Sequence, residues 1–237
     1  VRDLFARGAD VIKIASHFSR DEGKAAVDEA HALGLKVTCD CETFYIQWAV
    51  EAGVDMIEHP LPRSDETIRL MAEKGTEADP TVYVYTYFFG RFGGGYFGST
   101  SRRFHFGDSL NVDVMRRMKA AGIKMGVGTD LIVDWFRSLP HPYINELKYF
   151  TQVGYSIPEA LVAATRTSAE LLDMEDKLGT LQPGKLADVL VVNGRPDESL
   201  DDLAKVDLVI RDGWIVVEGG RVVVPRHQPT DAPPIWR

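Results

Sequence analysis

In GLKVTCDCETFYIQWAVEAGVDMIEHP, residues 34–60, two strand-like runs end in residues that can grip a metal. Asp40 closes the first, flanked by Cys39 and Cys41, and His59 closes the second. A carboxylate and an imidazole at neighbouring strand ends suit Zn²⁺ or another divalent first-row ion. A Cys-x-Cys site competes with that reading. Zinc sites usually space their cysteines about two to four apart, however, and the chain has no second pair. The cysteines fit better as small buried apolar residues. As residues i and i+2 of a strand they lie about 6.5–7 Å apart, at the edge of disulfide reach. A reduced pair is therefore expected, which fits a cytoplasmic protein.

The elements that must position these groups recur as one phrase: a helical run, a small residue and Gly, then a short apolar strand. LFARGADVIKI, AHALGLKVTCD, AVEAGVDMIEH, MAEKGTEADPTV and MKAAGIKMGVGTD are its copies. Gly8, Gly34, Gly53, Gly75 and Gly122 stand where a helix needs a left-handed C′ residue. Ser64 reads as an N-cap, with Asp65 and Glu66 in the first turn. Helices alternating with strands imply βα units and a parallel sheet. Strands are expected near 11–15, 36–40, 55–59, 77–84 and 124–130, and helices near 142–153 and 157–172. The spacing then changes to short β-branched runs broken by Pro-Gly, Asp-Gly and Gly-Gly turns, a small antiparallel unit. The expected organisation is 1–175, 176–224 and a Pro-rich tail over 225–237.

Chemistry in parallel α/β sheets collects at the C-terminal strand ends. Those ends carry Lys13, Asp40, His59, the Asp79/Thr81 region and Asp130. Alternation puts Lys13 with Val11 and Ala15, His59 with Ile57, and Asp130 with Gly128. If the ionisable groups point inward, Thr38, Asp40 and Glu42 do too, and the cysteines face the helices. Taken singly, each residue has a plainer role. Lys13 could reach solvent, His59 could be a satisfied buried histidine, and Asp130 could cap a following segment. Asp40 could cap, or pair with Lys13. Grouped at one end of consecutive strands, Lys13, His59 and Asp130 read as functional. For Asp40 the two readings stay balanced.

A chain of 237 residues with 45% hydrophobic content can bury a sizeable core. Its formal charge of −8 is spread without a basic stripe, which argues against nucleic acid as a partner. No apolar run approaches the roughly 20 residues of a membrane helix. YVYTYFFGRFGGGYFGSTSRRFHFGDS, from Tyr83, reads as a mobile lid over an apolar substrate, with Arg91, Arg102 or Arg103 available for a carboxylate. His17 and His141 fall just beyond strand ends as further substrate-binding candidates.

GADVIKI, AGVDMIEHP, GVGTD and above all LGTLQPGKLADVLVV resemble the metal-dependent amidohydrolase superfamily, in its imidazolonepropionase-like and Xaa-Pro dipeptidase-like branch. The resemblance implies a (β/α)₈ TIM barrel with a small β-sandwich. It also implies a one- or two-metal site that activates water to hydrolyse a carbon–nitrogen bond of a small-molecule substrate. By the same resemblance Lys13 matches a strand-4 lysine that is often carboxylated and bridges two metals. His59 matches a strand-6 metal histidine. Asp130 matches a strand-8 aspartate that binds metal and handles protons. Two departures matter. Asp40 stands where a strand-5 histidine is usual, and no His-x-His occurs in the chain, where strand 1 would carry one. The visible strands then correspond to strands 4–8 of the barrel and the closing strands of the sandwich. The chain is most economically a piece of a longer one, or a protomer completed by another chain, which leaves a homo-oligomer open. Zn²⁺ is the family's metal, while carboxylate in place of imidazole shifts preference toward Mn²⁺ or Mg²⁺. The competing function is a non-catalytic relative with a binding or structural role.

Overall fold

The structure, a computed structural model, describes residues 1–15, 17–92, 105–131, 139 and 141–224. Val1–Thr180 and Leu181–Arg237 form two compact units. The first begins with α1 (Arg2–Ala6) and is built on four parallel strands. These are β1 (Val11–Ala15), β2 (Lys36–Asp40), β3 (Met56–Glu58) and β4 (Glu77–Asp79), in that spatial order. Between them run α2 (Arg20–Ala32), α3 (Thr43–Ala52) and α4 (Asp65–Lys74). The helices start and stop where their end residues dictate. Ser19 and Glu22 form a reciprocal capping box on α2, and the Ser64 hydroxyl accepts the Thr67 amide on α4. Gly53 and Gly75 end α3 and α4 in the left-handed region, at φ +100° and +72°.

Pairing sets two faces of the sheet. Ile12, Val37, Cys39, Ile57 and Ala78 are buried on one, toward a core that includes Val27, Ile46, Val50 and Met71 from the helices. The other face is charged in layers. Lys36 pairs with Glu77 at 3.5 Å and Asp173 at 2.8 Å, and Lys124 pairs with Glu77 at 3.5 Å and Glu170 at 3.1 Å. That network sits at the N-terminal ends of the strands. Lys13, Asp40, Glu58 and Asp79 lie nearer the C-terminal ends.

Two expected strands are shorter than their residue types suggest. The run 77–84 pairs only over Glu77–Asp79, and Val82–Phe92 is a helix, α5. The Glu146 carboxylate accepts the Val82 and Tyr83 amides at 2.8 and 2.7 Å, and so supplies the helix start that the local sequence lacks. Part of the expected lid is therefore helical, and 93–104, with Arg102 and Arg103, lies outside the described residues. The run 124–130 meets the sheet through one parallel bridge, Ala78 to Met125. Beyond it the Gly128 amide hydrogen-bonds the Asp79 carboxylate instead of a strand partner.

After α6 (Asp108–Ala120) come α7 (Pro142–Gln152) and a continuous helical stretch, α8 (Ile157–Val162), a π turn (Ala163–Thr167) and α9 (Ser168–Leu171). The π turn lets the Ser168 hydroxyl donate to the Ala163 carbonyl at 2.8 Å while accepting the Val127 amide at 3.1 Å. A Cβ at Gly126 would stand 2.8 Å from the Leu171 side chain, which would have to shift to admit it. The second unit is an antiparallel sheet of β5 (Val189–Val192), β6 (Val206–Arg211), β7 (Trp214–Glu218) and β8 (Arg221–Val222). Its tight turns, Asp212-Gly213 and Gly219-Gly220, have both residues at positive φ, as hairpins of this hand require.

The cysteines also differ from expectation. Cys39 and Cys41 are fully buried with their sulfurs adjacent and their Cα atoms 5.3 Å apart, closer than two residues of an extended strand, because β2 ends between them at Asp40. Among the described residues no helix is long and apolar enough to cross a membrane.

Replacing Ser64 with Ala should cost about 1 kcal/mol in urea unfolding, and replacing it with Gly only a few tenths, because glycine at an N-cap leaves the amides open to water. Equal losses for both would show that the hydroxyl does not cap α4.

Candidate active site

His59 sits just past β3 and is 1% exposed. Its side chain does not reach the site by strand alternation, as the sequence pattern suggests. Ile57 faces the helices, and the inward residue of β3 is Glu58. His59 instead adopts φ +69°, which turns its imidazole inward. Two contacts hold that backbone. The His59 amide donates to the Asp79 carbonyl at 2.9 Å, and buried Arg63 donates to the His59 carbonyl at 2.6 Å. Burial, with Arg117 nearby, lowers the Arg63 pKa to about 9.

The imidazole has a polar atom on each side. Nε2 lies 3.1 Å from Asp40 Oδ1, and Nδ1 lies 2.9 Å from the Thr81 hydroxyl and 3.9 Å from Asp130 Oδ2. Asp40 only accepts when ionised, so Nε2 carries a proton here, and Thr81 can donate to Nδ1. The other neutral tautomer, with the proton on Nδ1 and Thr81 turned to accept it, would leave Nε2 able to bind a cation.

Lys13 lies within ion-pair distance of two carboxylates, Glu58 and Asp40, the latter at 3.9 Å. The ion-pair reading of Asp40 and its contact with His59 thus coexist. Burial by itself would lower the Lys13 pKa, but its hydrogen bond to Glu58 and the charges of Glu58, Asp40 and Asp130 outweigh that and raise it. The structure therefore favours the ammonium form, whereas carboxylation needs the free amine, which burial alone would have favoured. Glu58 also accepts the Thr38 hydroxyl at 2.9 Å.

Asp79 and Asp130 complete the group. Asp79 is half-buried, its Oδ1 is shut off from solvent with no hydrogen-bond partner among the described residues, and burial, with Glu58 and Asp130 adding to it, pushes its pKa up to about 6. A Cβ at Gly128 would fall 2.2 Å from Asp79 Oδ2, so only glycine fits there. Asp130 is about half exposed at φ +48°, and burial is the main cause of its raised pKa, opposed by His59 and Lys13.

The structure thus gathers Lys13, Asp40, His59 and Asp130, the four candidate ligands. It adds Glu58 and Thr81 to them and makes Asp79 a full member. The signal for Glu58 lay in plain view in the Glu-His-Pro triplet, but alternation gave its face to His59. His17 lies in the loop after β1, edge-on to Tyr45 at 5.6 Å. His141 is exposed at the start of α7, and no described contact links it to the group. The Arg91 side chain and all of Arg102 lie outside what is described.

The donor set suits a hard divalent cation. Asp40, Glu58, Asp79 and Asp130 outnumber Lys13 and His59, and Asp79 keeps a buried oxygen unused. Among the described residues no three such side chains converge as a ready-made cage, since His59 and Asp40 spend donors on each other.

A family model described as the amidohydrolase family matches residues 12–216. The imidazolonepropionase of Symbiobacterium thermophilum is 29% identical over 224 residues, covering 92% of this chain and 48% of that protein. A solved Xaa-Pro dipeptidase with bound methionine in its active site superposes with TM-score 0.80 at 30% identity, covering 92% of this chain and 57% of that one. A prolidase complexed with N-methylphosphonate-L-proline superposes at 0.78 and 28%, with the same coverage. The chain spans about half the length of the curated relatives it matches.

Glu146 gives the site's support a pH dependence. Burial raises its pKa from 4.5 to about 8, against the two amides it accepts. The folded chain keeps that proton up to about pH 8, while the unfolded chain releases it near 4.5. The folded state binds more protons in between, so stability is highest below that window and falls as pH rises through it. Glu146→Gln should flatten this fall in urea unfolding between pH 5 and 8. An unchanged slope would remove Glu146 as its source.

Proposed function

The chain belongs to the amidohydrolase family, and from that premise we propose that it carries the hydrolytic centre of a metal-dependent enzyme cleaving carbon–nitrogen bonds of an amide, cyclic amide or dipeptide. The observation that carries this reading is the surplus of carboxylate around buried His59, with one Asp79 oxygen unpartnered. The proposed fold is the C-terminal part of a (β/α)₈ barrel, strands 4–8, with the closing strands of a small β-sandwich. Its support is the parallel order β1-β2-β3-β4, the bridge onto Met125 and the separate antiparallel sheet.

In this proposal His59, Asp40 and Asp130 hold the metal, with Glu58 beside them. A bound divalent ion would polarise the carbonyl and lower the pKa of a water toward ~7. Asp130 takes the proton of the attacking water and delivers it to the leaving nitrogen as the C–N bond breaks and a C–O bond forms. Its raised pKa brings it nearer the neutral range, where one carboxylate can do both. Lys13, as an ammonium ion, balances Glu58 and Asp40, and Thr81 orients the imidazole through Nδ1. Zn²⁺ is the metal the family favours, and the carboxylate-rich set favours Mn²⁺ or Mg²⁺. The proposed partner is a small molecule, not nucleic acid or a membrane, and assembly as a homo-oligomer belongs to the same proposal.

With Mn²⁺ or Zn²⁺ supplied, dipeptides or N-acyl amino acids should release free amino acid. Asp130→Asn should lower kcat by about 10²–10⁴-fold with an unchanged circular dichroism spectrum. Full activity in Asp130→Asn would remove the proton role. A folded chain that hydrolyses nothing with either metal would favour the non-catalytic reading.

A further inference from the structure

The loops that leave the strand ends enclose a cavity of about 190 Å³. His17 follows β1, Glu42, Phe44 and Tyr45 follow β2, Leu61 follows β3, and Phe106 precedes α6. Three of these loops start at residues of the proposed centre. Leu61 is two residues past His59, Glu42 two past Asp40, and His17 four past Lys13. At ~3.3–3.6 Å per residue, the first two lie within about 7 Å of those residues along the chain and His17 within about 14 Å. A group a few bonds from a reacting carbonyl can span that distance.

The walls are aromatic and ordered. Phe44 and Tyr45 pack with centroids 4.2 Å apart, and His17 meets Tyr45 edge-on at 89°. Tyr45 in turn rests edge-on against Trp48 at 5.3 Å. Leu61 is buried, while Phe44 is 55% exposed. Two rim residues, His17 and Thr43, hold positive φ, at +76° and +28°. Strain of this kind gathers at ligand clamps.

Size and charge narrow the occupant. The ~190 Å³ volume is below the roughly 300 Å³ at which whole drug-sized ligands are bound, and above the ~150 Å³ that admits a benzene ring. It therefore fits one side chain rather than a complete substrate. Glu42 in the lining disfavours a second carboxylate. We propose that this cavity is the specificity subsite of the hydrolytic centre and takes an apolar, ring-sized side chain of the substrate, rejecting acidic ones. The assignment rests on the function proposed above and adds to it the class of substrate.

Binding tests it without needing turnover. N-acetyl-L-phenylalanine amide, N-acetyl-L-alanine amide and N-acetyl-L-glutamate are titrated into the metal-free chain and followed by NMR at the Tyr45 and Leu61 amides and the Trp48 indole. The phenylalanine probe should shift these signals at millimolar concentration, and the other two should not. Phe44→Ala, at an exposed position, should weaken the phenylalanine probe about two- to tenfold, the worth of one aromatic contact. Leu61→Trp should block it by filling the cavity, with chain dispersion in the spectrum reporting the fold. Equal shifts from the alanine probe, shifts centred elsewhere, or Phe44→Ala binding as tightly as the parent would overturn the subsite. Selective binding in a chain that hydrolyses nothing supports the cavity while the hydrolase reading fails. Hydrolysis with equal kcat/KM for phenylalanyl and alanyl substrates overturns the subsite and leaves the hydrolase intact.

Discussion

Like charges crowded at one end of a sheet are the constraint on which the structure turns. Asp40, Glu58, Asp79 and Asp130 all act on the same space around His59 and Lys13. Two carboxylates ~4 Å apart repel by about 4 kcal/mol at an effective dielectric near 20. The fold meets this with Lys13 against Glu58 and Asp40, with His59 against Asp40, and with raised proton affinity at Asp79 and Asp130. A divalent cation would meet it more fully. The same surplus that burdens the folded chain is what would give the centre its affinity for metal.

Holding such a group in place requires a rigid surround, and the surround is visible residue by residue. Arg63 fixes the His59 carbonyl, Gly128 admits the Asp79 carboxylate, Ser168 ties down Val127, and Glu146 anchors the start of α5 beside Thr81. Strain follows the same map. Among the described residues, positive φ outside glycine occurs at His17, Thr43, His59, Thr81, Asp130 and His141, most of them just beyond strands or at helix starts, and otherwise at Asp173 and Asp212 in turns. Backbone held in these regions costs of order 1–3 kcal/mol each.

Much of this was legible in the sequence, and the failures have physical causes. The glycines after each helix and the β-branched runs located β1 to β4, because those signals are local. The run TVYVYTYFF looks like a strand by alternation, yet α5 forms there because Glu146, 64 residues from Val82, receives its first amides. No local pattern carries that information. Glu58 was passed over because alternation was extended through His59, where the left-handed backbone breaks it. The charges at Lys13, Asp40, His59 and Asp130 were found because they recur at strand ends, a pattern that survives such errors.

If the carboxylates around His59 serve to bind a divalent cation, the ion should be visible among them. Crystals of the chain grown with Mn²⁺ and measured at the manganese absorption edge test it most directly. An anomalous peak should lie within bonding distance of His59 Nε2 and of carboxylate oxygens from Asp40 or Asp130, with the His59–Asp40 hydrogen bond broken. Crystals saturated with Mn²⁺ that show no peak there, and His59 still hydrogen-bonded to Asp40, would contradict it.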